Sequence, residues 1–329
     1  MQKPEIVVSY ALDAAKREIL EKELADGSNL KFLSDVSAGE RAGVLASAEA
    51  IIAWNPQKEL SPEEFGLLSR LKLVQLISAG AEHVPFAMVP PQAMIASNPG
   101  AFAEPMAEHI LGMALALAKR LCVNHRKLAG GEFDMKTKNR WLRGMTLGVL
   151  GFGGIGQAAA RLMRAVGVRI FALNTSGKTN EPVDFVGTLD DLDHVLRNCD
   201  ILLVSIPLTK QTRGLIEAKK LAAMKPDAIL VNVARGGIID EGALYRHLVE
   251  NPAFSAAIDT WWIEPSMGGE FKVNYPFFDL PNFLGSPHNS SAVPGIMSTA
   301  VKLVGENVAR FVRGEKIKGI VIREEYINA

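Results

Sequence analysis

Cysteine is nearly absent from this chain. Cys122 and Cys199 are the only two thiols in 329 residues. They form no CxxC pair, no metal is called for, and both read as small core residues in a reducing setting. No sign of charge dominates either. Lys plus Arg and Asp plus Glu both total 36, giving a formal net charge of zero, which argues against a nucleic-acid or membrane-surface partner. Long apolar runs are missing too. The run at residues 110–118 ends at Lys119-Arg120, well short of the roughly 20 residues that span a bilayer. The opening Met1-Gln2-Lys3-Pro4-Glu5 has no secretory character, and no low-complexity segment or short repeat occurs. The expectation is a cytoplasmic protein with no membrane partner. Apolar residues make up 48% of it, enough for a large core, and a prior of roughly 150 residues per domain suggests two domains.

What is present is an alternation. Short apolar runs at Ile6-Val7-Val8, residues 30–33, Ala50-Ile51-Ile52-Ala53, residues 73–77 and Met94-Ile95-Ala96 are separated by helical patterns. One helix spans residues 14–24, and another opens at Ser61-Pro62-Glu63-Glu64. Strand–helix alternation predicts a parallel sheet covered by helices on both faces. The pattern breaks at Asn98-Pro99-Gly100. Residues 103–128 then read as one helix, apolar and small on nearly all sides, which must be buried in a large domain or against a second subunit. A second alternating series follows. Its strands are expected at residues 146–150, 169–173, 200–205, 228–233, 255–258 and 282–284, with helices at 157–166 and 241–250. A long helix at 294–313 and an apolar run at 317–322 end the chain.

Gly151-Phe152-Gly153-Gly154-Ile155-Gly156 follows the strand Leu147-Gly148-Val149-Leu150 and opens a helix. That placement of GxGxxG predicts a dinucleotide site. Gly151 allows the tight turn, Gly153 lets the backbone approach a pyrophosphate, and Gly156 lets helix and strand pack closely. Gly177-Lys178-Thr179 looks like the end of a phosphate-binding loop of another kind, but its first glycine would fall at Ala172, inside a strand. The second strand of the unit ends at Leu173-Asn174-Thr175-Ser176. An acidic residue at its tip would bond both ribose hydroxyls of NAD, and neutral Asn174 removes its repulsion toward a 2′-phosphate. Thr175, Ser176 and Lys178 would then donate to that phosphate, favouring NADP over NAD. The other reading of Asn174 is that of a turn former.

Three further stretches fall at the ends of successive strands. They are Asn232-Val233-Ala234-Arg235-Gly236-Gly237, Asp259-Thr260-Trp261-Trp262-Ile263-Glu264-Pro265 and Ser286-Pro287-His288. Alone, Arg235 reads as a surface cation, Glu264 as a loop acid and His288 as a core histidine. In this order behind a GxGxxG turn they resemble the D-isomer-specific 2-hydroxyacid dehydrogenases, the family of glyoxylate/hydroxypyruvate reductases, D-lactate dehydrogenases and phosphoglycerate dehydrogenases. The likeness runs from about Lys72 to the C-terminus. It includes Pro207-Leu208-Thr209 with Thr212, Gly214-Leu215-Ile216 and residues 232–244.

The resemblance implies an NAD(P)-dependent oxidoreductase that interconverts a small 2-keto acid and its 2-hydroxy acid. Arg235 would hold the substrate carboxylate and carbonyl oxygen with its guanidinium fork. His288 would move the proton, and Glu264 would hold the imidazole and stabilise its protonated form. Asp259 would bond the nicotinamide carboxamide, with Pro207, Thr212, Val233 and Ala234 also at the cofactor. Ser78-Ala79-Gly80 would offer backbone N–H groups to the substrate carboxylate. The implied fold is a pair of Rossmann-like, doubly wound parallel-sheet domains. A flavodoxin-like substrate domain is expected at 1–99 plus 291–329, and the cofactor domain inserted into it at 100–290. A cleft between them, closed by hinge motion, would hold the substrate, and the 103–128 helix would build a homodimer.

Departures from the family pattern are Trp261-Trp262, where most members have a smaller residue and Phe, and a longer stretch between Glu264 and His288. Glu82-His83 and Ser205, the latter in place of His, are two more. They bear on substrate identity more than on reaction type. Formate and phosphite oxidation are less expected, because formate dehydrogenases carry Gln where this chain has Glu264. The rival from another class is a dinucleotide-sensing corepressor-type binding protein on the same fold.

Overall fold

The structure is a computed structural model that describes residues 3–265 and 269–326. Met1 and Gln2 of the expected start, residues 266–268 between Glu264 and His288, and the last three residues of the expected 291–329 segment lie outside the described residues. The chain divides into two compact units. One comprises Met1–Phe102 and Val293–Ala329, the other Ala103–Ala292.

The first unit carries β1 (Glu5–Val8), α1 (Ala14–Leu24), β2 (Asn29–Phe32), α2 (Ala38–Ser47), β3 (Ala50–Ala53), α3 (Pro56–Glu59), α4 (Pro62–Gly66), β4 (Leu73–Leu76) and β5 (Met94–Ala96). Its five strands are all parallel, in the order β2-β1-β3-β4-β5. Asp13 caps α1 by accepting from the Lys16 N–H, and Ser61 and Glu64 form a reciprocal capping box on α4. Alternate residues serve opposite faces. Ile6, Val8, Ile52 and Leu73 pack with Val301, Val304 and Val308 of the C-terminal helix Ile296–Val312. Val7, Ile51 and Val74 pack with Leu45, Leu68 and Phe86 on the other side. Gly305 brings the C-terminal helix close to α1, because a β-carbon there would stand 2.8 Å from Glu23 Cβ.

The second unit runs α5 (Ala103–Ala118), α6 (Leu121–Ala129), β6 (Thr146–Leu150), α7 (Gly154–Ala165), β7 (Arg169–Leu173), β8 (Phe185–Gly187), α8 (Leu192–Asn198), β9 (Ile201–Val204), α9 (Ala218–Ala222), β10 (Ile229–Asn232), α10 (Glu241–Glu250), β11 (Ser255–Ile258) and β12 (Phe283–Gly285). Seven parallel strands lie in the order β12-β11-β10-β9-β6-β7-β8. Every side chain of β6, β9 and β10 is buried, as a sheet covered on both faces requires. Succession runs from β6 outward to β8 in one direction and from β9 outward to β12 in the other. The switch point between β6 and β9, paired from Leu147↔Ile201 to Leu150↔Val204, is where ligands collect in open α/β sheets.

One expected element divides. The stretch 103–128 is two helices, because Arg120 takes the left-handed conformation at φ 53°. Helix α5 buries Met106, Ile110, Met113 and Ala118 within its unit, whereas α6 buries no side chain. No described helix is long and apolar enough to cross a membrane.

Candidate active site

Because the second sheet is wholly parallel, the turns that follow β6, β7, β9, β10, β11 and β12 all leave one edge. The expected site residues of this unit sit in those turns. After β6, Gly151 has φ +103°, and a β-carbon there would stand 2.7 Å from the Ser205 backbone. A β-carbon on Gly156 would stand 2.4 Å from the Gly151 carbonyl oxygen, so glycine lets α7 seat against the turn. Around Gly153 nothing lies within 4 Å of a β-carbon position. No side chain caps α7, whose N-terminus opens at Gly153, Gly154 and Ile155. Open space beside uncapped N–H groups fits a pyrophosphate.

After β7, the Asn174 side chain folds its own loop. Its Nδ2 donates to the Lys178 carbonyl at 2.8 Å, and its Oδ1 accepts from the Ser176 N–H at 3.0 Å and Ser176 Oγ at 3.1 Å. Asn174 is therefore a turn former, and both ends of its amide are engaged. Thr175, Ser176 and Lys178 are exposed. After β9, Thr212 Oγ1 donates to the Pro207 carbonyl at 2.7 Å and accepts from the Thr209 N–H at 2.8 Å. Thr212 thus shapes the turn that carries Pro207.

The turn after β10 presents Arg235. Asn232, fully buried, accepts from the Ala234 N–H at 3.0 Å and donates to the Arg235 carbonyl at 3.0 Å. Val233 and Ala234 are buried beneath. One Arg235 nitrogen donates to the Ala234 carbonyl at 2.6 Å. Gly236 brings this turn against the next, because a β-carbon there would stand 2.3 Å from the Trp261 carbonyl carbon.

Glu264 follows β11, and His288 follows β12. His288 Nδ1 meets Glu264 Oε2 at 2.8 Å, and the Trp261 N–H donates to Glu264 Oε1 at 2.7 Å. Glu264 is 5% exposed, while the His288 side chain is 43% exposed. A buried carboxylate against Nδ1 fixes the ring, and Nε2, with no partner among the described residues, is the nitrogen able to give or take a proton. His288 itself is left-handed, at φ 52°. Asp259 holds that turn in place. The His288 N–H donates to the Asp259 carbonyl at 2.8 Å, and the N–H groups of Asn289 and Ser290 donate to the Asp259 carboxylate, each at 3.2 Å. Ser286 Oγ donates to the same carboxylate. Asp259 has no exposed surface, and its carboxylate orders residues 286–290. His109, on α5, reaches Ser286 Oγ at 3.0 Å.

In the first unit, Ser78, Ala79 and Gly80 form the turn after β4. Ser78 Oγ donates to the Gly80 carbonyl at 2.8 Å. Among the described residues the N–H groups of Ala79 and Gly80 have no acceptor, and Ala79 is exposed. Such a pair can receive an anion.

Asn232, Ser286 and His109 escaped the sequence reading in these roles. Only Asn232 carried a signal, as an Asx-type residue closing a strand.

Residues 111–290 match the model of the D-isomer specific 2-hydroxyacid dehydrogenase NAD binding domain. The chain is 32% identical to a D-3-phosphoglycerate dehydrogenase of Methanocaldococcus jannaschii, over 77% of its own length but only 48% of that protein. It is also 32% identical to a glyoxylate reductase of Aeropyrum pernix, over 78% of this chain and 77% of that one. Among solved structures, a putative formate dehydrogenase from Pyrobaculum aerophilum superposes with a TM-score of 0.82 at 27% identity. The superposition covers 98% of this chain and 99% of the other.

Proposed function

The chain belongs to the D-isomer specific 2-hydroxyacid dehydrogenase family, and from its site we infer that it interconverts a small 2-keto acid and its 2-hydroxy acid, glyoxylate or hydroxypyruvate being the size expected. The observation that carries this is the 2.8 Å contact of His288 Nδ1 with buried Glu264, in turns that leave the same sheet edge as the glycine turn.

Each residue has a chemical task. Arg235 neutralises and orients the substrate carboxylate while its fork holds the carbonyl oxygen, where negative charge develops on reduction. His288 gives its Nε2 proton to that oxygen, or takes it back in oxidation. Glu264 stabilises the doubly protonated ring. In the first unit, the N–H groups of Ala79 and Gly80 are suited to receive an anion. The nicotinamide, when bound, supplies or accepts the hydride. Gly151, Gly153 and Gly156 with the open end of α7 would hold its pyrophosphate, and the turns at Pro207 and at Val233-Ala234 would line it. Formate oxidation ends in carbon dioxide and leaves no oxygen to protonate, so a His–Glu pair would have no proton to move. That chemistry disfavours formate here.

The test is steady-state turnover of a panel of 2-keto acids with NADPH and NADH. Turnover is expected with small keto acids. Cofactor binding with no turnover of any would favour a dinucleotide-sensing protein instead.

NADP(H) is the cofactor we expect to be preferred. Asn174 closes its loop without a carboxylate, and exposed Thr175 and Lys178 would donate to a 2′-phosphate, with the Ser176 hydroxyl exchanging its bond to Asn174 for one to the phosphate. The preference should be about ten- to a hundredfold in kcat/KM, or roughly 1.4–2.7 kcal/mol. Asn174→Asp keeps the acceptor for the Ser176 N–H and restores the repelling charge, so it should shift the preference toward NADH. Equal use of both cofactors by the wild type would overturn this reading.

A further inference from the structure

We propose that Trp261 is the positioning residue of the His288–Glu264 pair, an inference that rests on the proton-transfer reading of His288. One residue grips both ends of that pair. Its backbone N–H donates to Glu264 Oε1 at 2.7 Å, and its indole Nε1–H donates to the Ser286 carbonyl at 2.8 Å. Glu264 Oε2 then meets His288 Nδ1 at 2.8 Å. The contacts close a ring from Trp261 through Glu264 and His288 back to Ser286. Two turns that leave adjacent strands are thereby fixed in register with each other.

The indole is itself immobile. Trp261 is 3% exposed, and its ring lies so close to Gly285 that a β-carbon there would stand 2.8 Å from the indole Cζ2. Phe271, Phe278 and Phe283 surround it at centroid distances of 5.1, 5.5 and 6.0 Å. A donor on a ring held this way fixes where the Ser286 carbonyl sits. Between Ser286 and His288 stands only Pro287, whose ring locks φ and transmits any shift without absorbing it. His288 follows in a left-handed conformation with little freedom of its own. Displacement of the Ser286 carbonyl therefore becomes displacement of the imidazole, and an error of about 1 Å in a reacting group can cost on the order of a hundredfold in rate.

Two replacements isolate the indole N–H. Trp261→Phe keeps an aromatic ring. The sulfur isostere of tryptophan, benzothienylalanine placed at position 261, keeps the full ring shape and deletes only the donor. Both leave the backbone bond to Glu264 intact. In each, kcat should fall about ten- to a hundredfold, with the Kd for NADPH unchanged. The downfield proton resonance of His288 Nδ1–H, identified by its loss in His288→Ala, should broaden or vanish. That resonance reads positioning without reference to turnover, so it decides the matter even if His288→Ala keeps full activity and the functional reading falls. If the Phe variant does not fold, the isosteric one still answers. A sharp, unshifted Nδ1–H resonance in the isosteric variant overturns the proposal, whatever happens to kcat or Tm.

Discussion

His288 is held in a backbone conformation that a non-glycine residue adopts at a cost of about 1–2 kcal/mol. Four bonds to Asp259 and one to Trp261 offset it across residues 286–290. Strain kept at such a point by surrounding bonds is common where geometry matters more than stability. Arg235 shows the same economy. Asn232 shapes its turn, and the guanidinium bond to the Ala234 carbonyl sets its direction. A lysine would keep the charge but lose the fork. Arg235→Lys should therefore raise KM for the keto acid by about ten- to a hundredfold, the worth of a charged hydrogen bond. Steady-state kinetics with saturating cofactor will measure it, and an unchanged KM would count against Arg235 as the carboxylate clamp. That Glu264 and His288 meet was foreshadowed by their residue types and order. The bonds from Asp259 to residues 286–290 were not legible, since a carboxylate held by three N–H or O–H donors looks the same in sequence as any other. His109 lies 177 positions from Ser286, and nothing local marks that meeting.

At the scale of elements, the two strand–helix series appeared where the apolar runs placed them, because fully buried strands read as short apolar blocks. Helix α10 runs over the expected Glu241–Glu250. Less was visible where an element is short or where a helix breaks without glycine. The edge strand β8 has three residues, too few for a period to show. The end of α5 depends on Arg120, a non-glycine residue at φ 53°, which no propensity flags. The break has a consequence for assembly. Beyond it, Leu121, Leu128, Phe133, Met135 and Trp141 are exposed by half or more, a density of apolar surface that a lone chain seldom shows to water. A second copy of this chain is the partner we propose for α6 and the loop after it, giving a two-fold homodimer. Light scattering at micromolar concentration should return the dimer mass, and charged substitutions at Phe133 and Met135 should shift it toward the monomer. A monomeric wild type would refute this.

At the scale of the whole molecule, the chain builds one parallel sheet, leaves it after Phe102, builds a second and returns at Val293. The second sheet brings every expected residue of that unit to one edge, since parallel strands place their following turns together. Fold and chemistry were both readable because a glycine turn, an arginine, an acid and a histidine fall at strand ends in an order that only a parallel sheet turns into a site. Substrate identity was not readable, for it depends on the shape of the space around those residues. The measurement that bears most directly on the account compares wild type and His288→Ala in NADPH-dependent reduction of glyoxylate and hydroxypyruvate, with NADPH affinity measured in parallel. The account predicts that wild type yields the D-2-hydroxy acid from hydroxypyruvate, and that the variant loses about 10²–10⁴ in kcat while binding NADPH as tightly. A His288→Ala enzyme that turns over at the wild-type rate would contradict it.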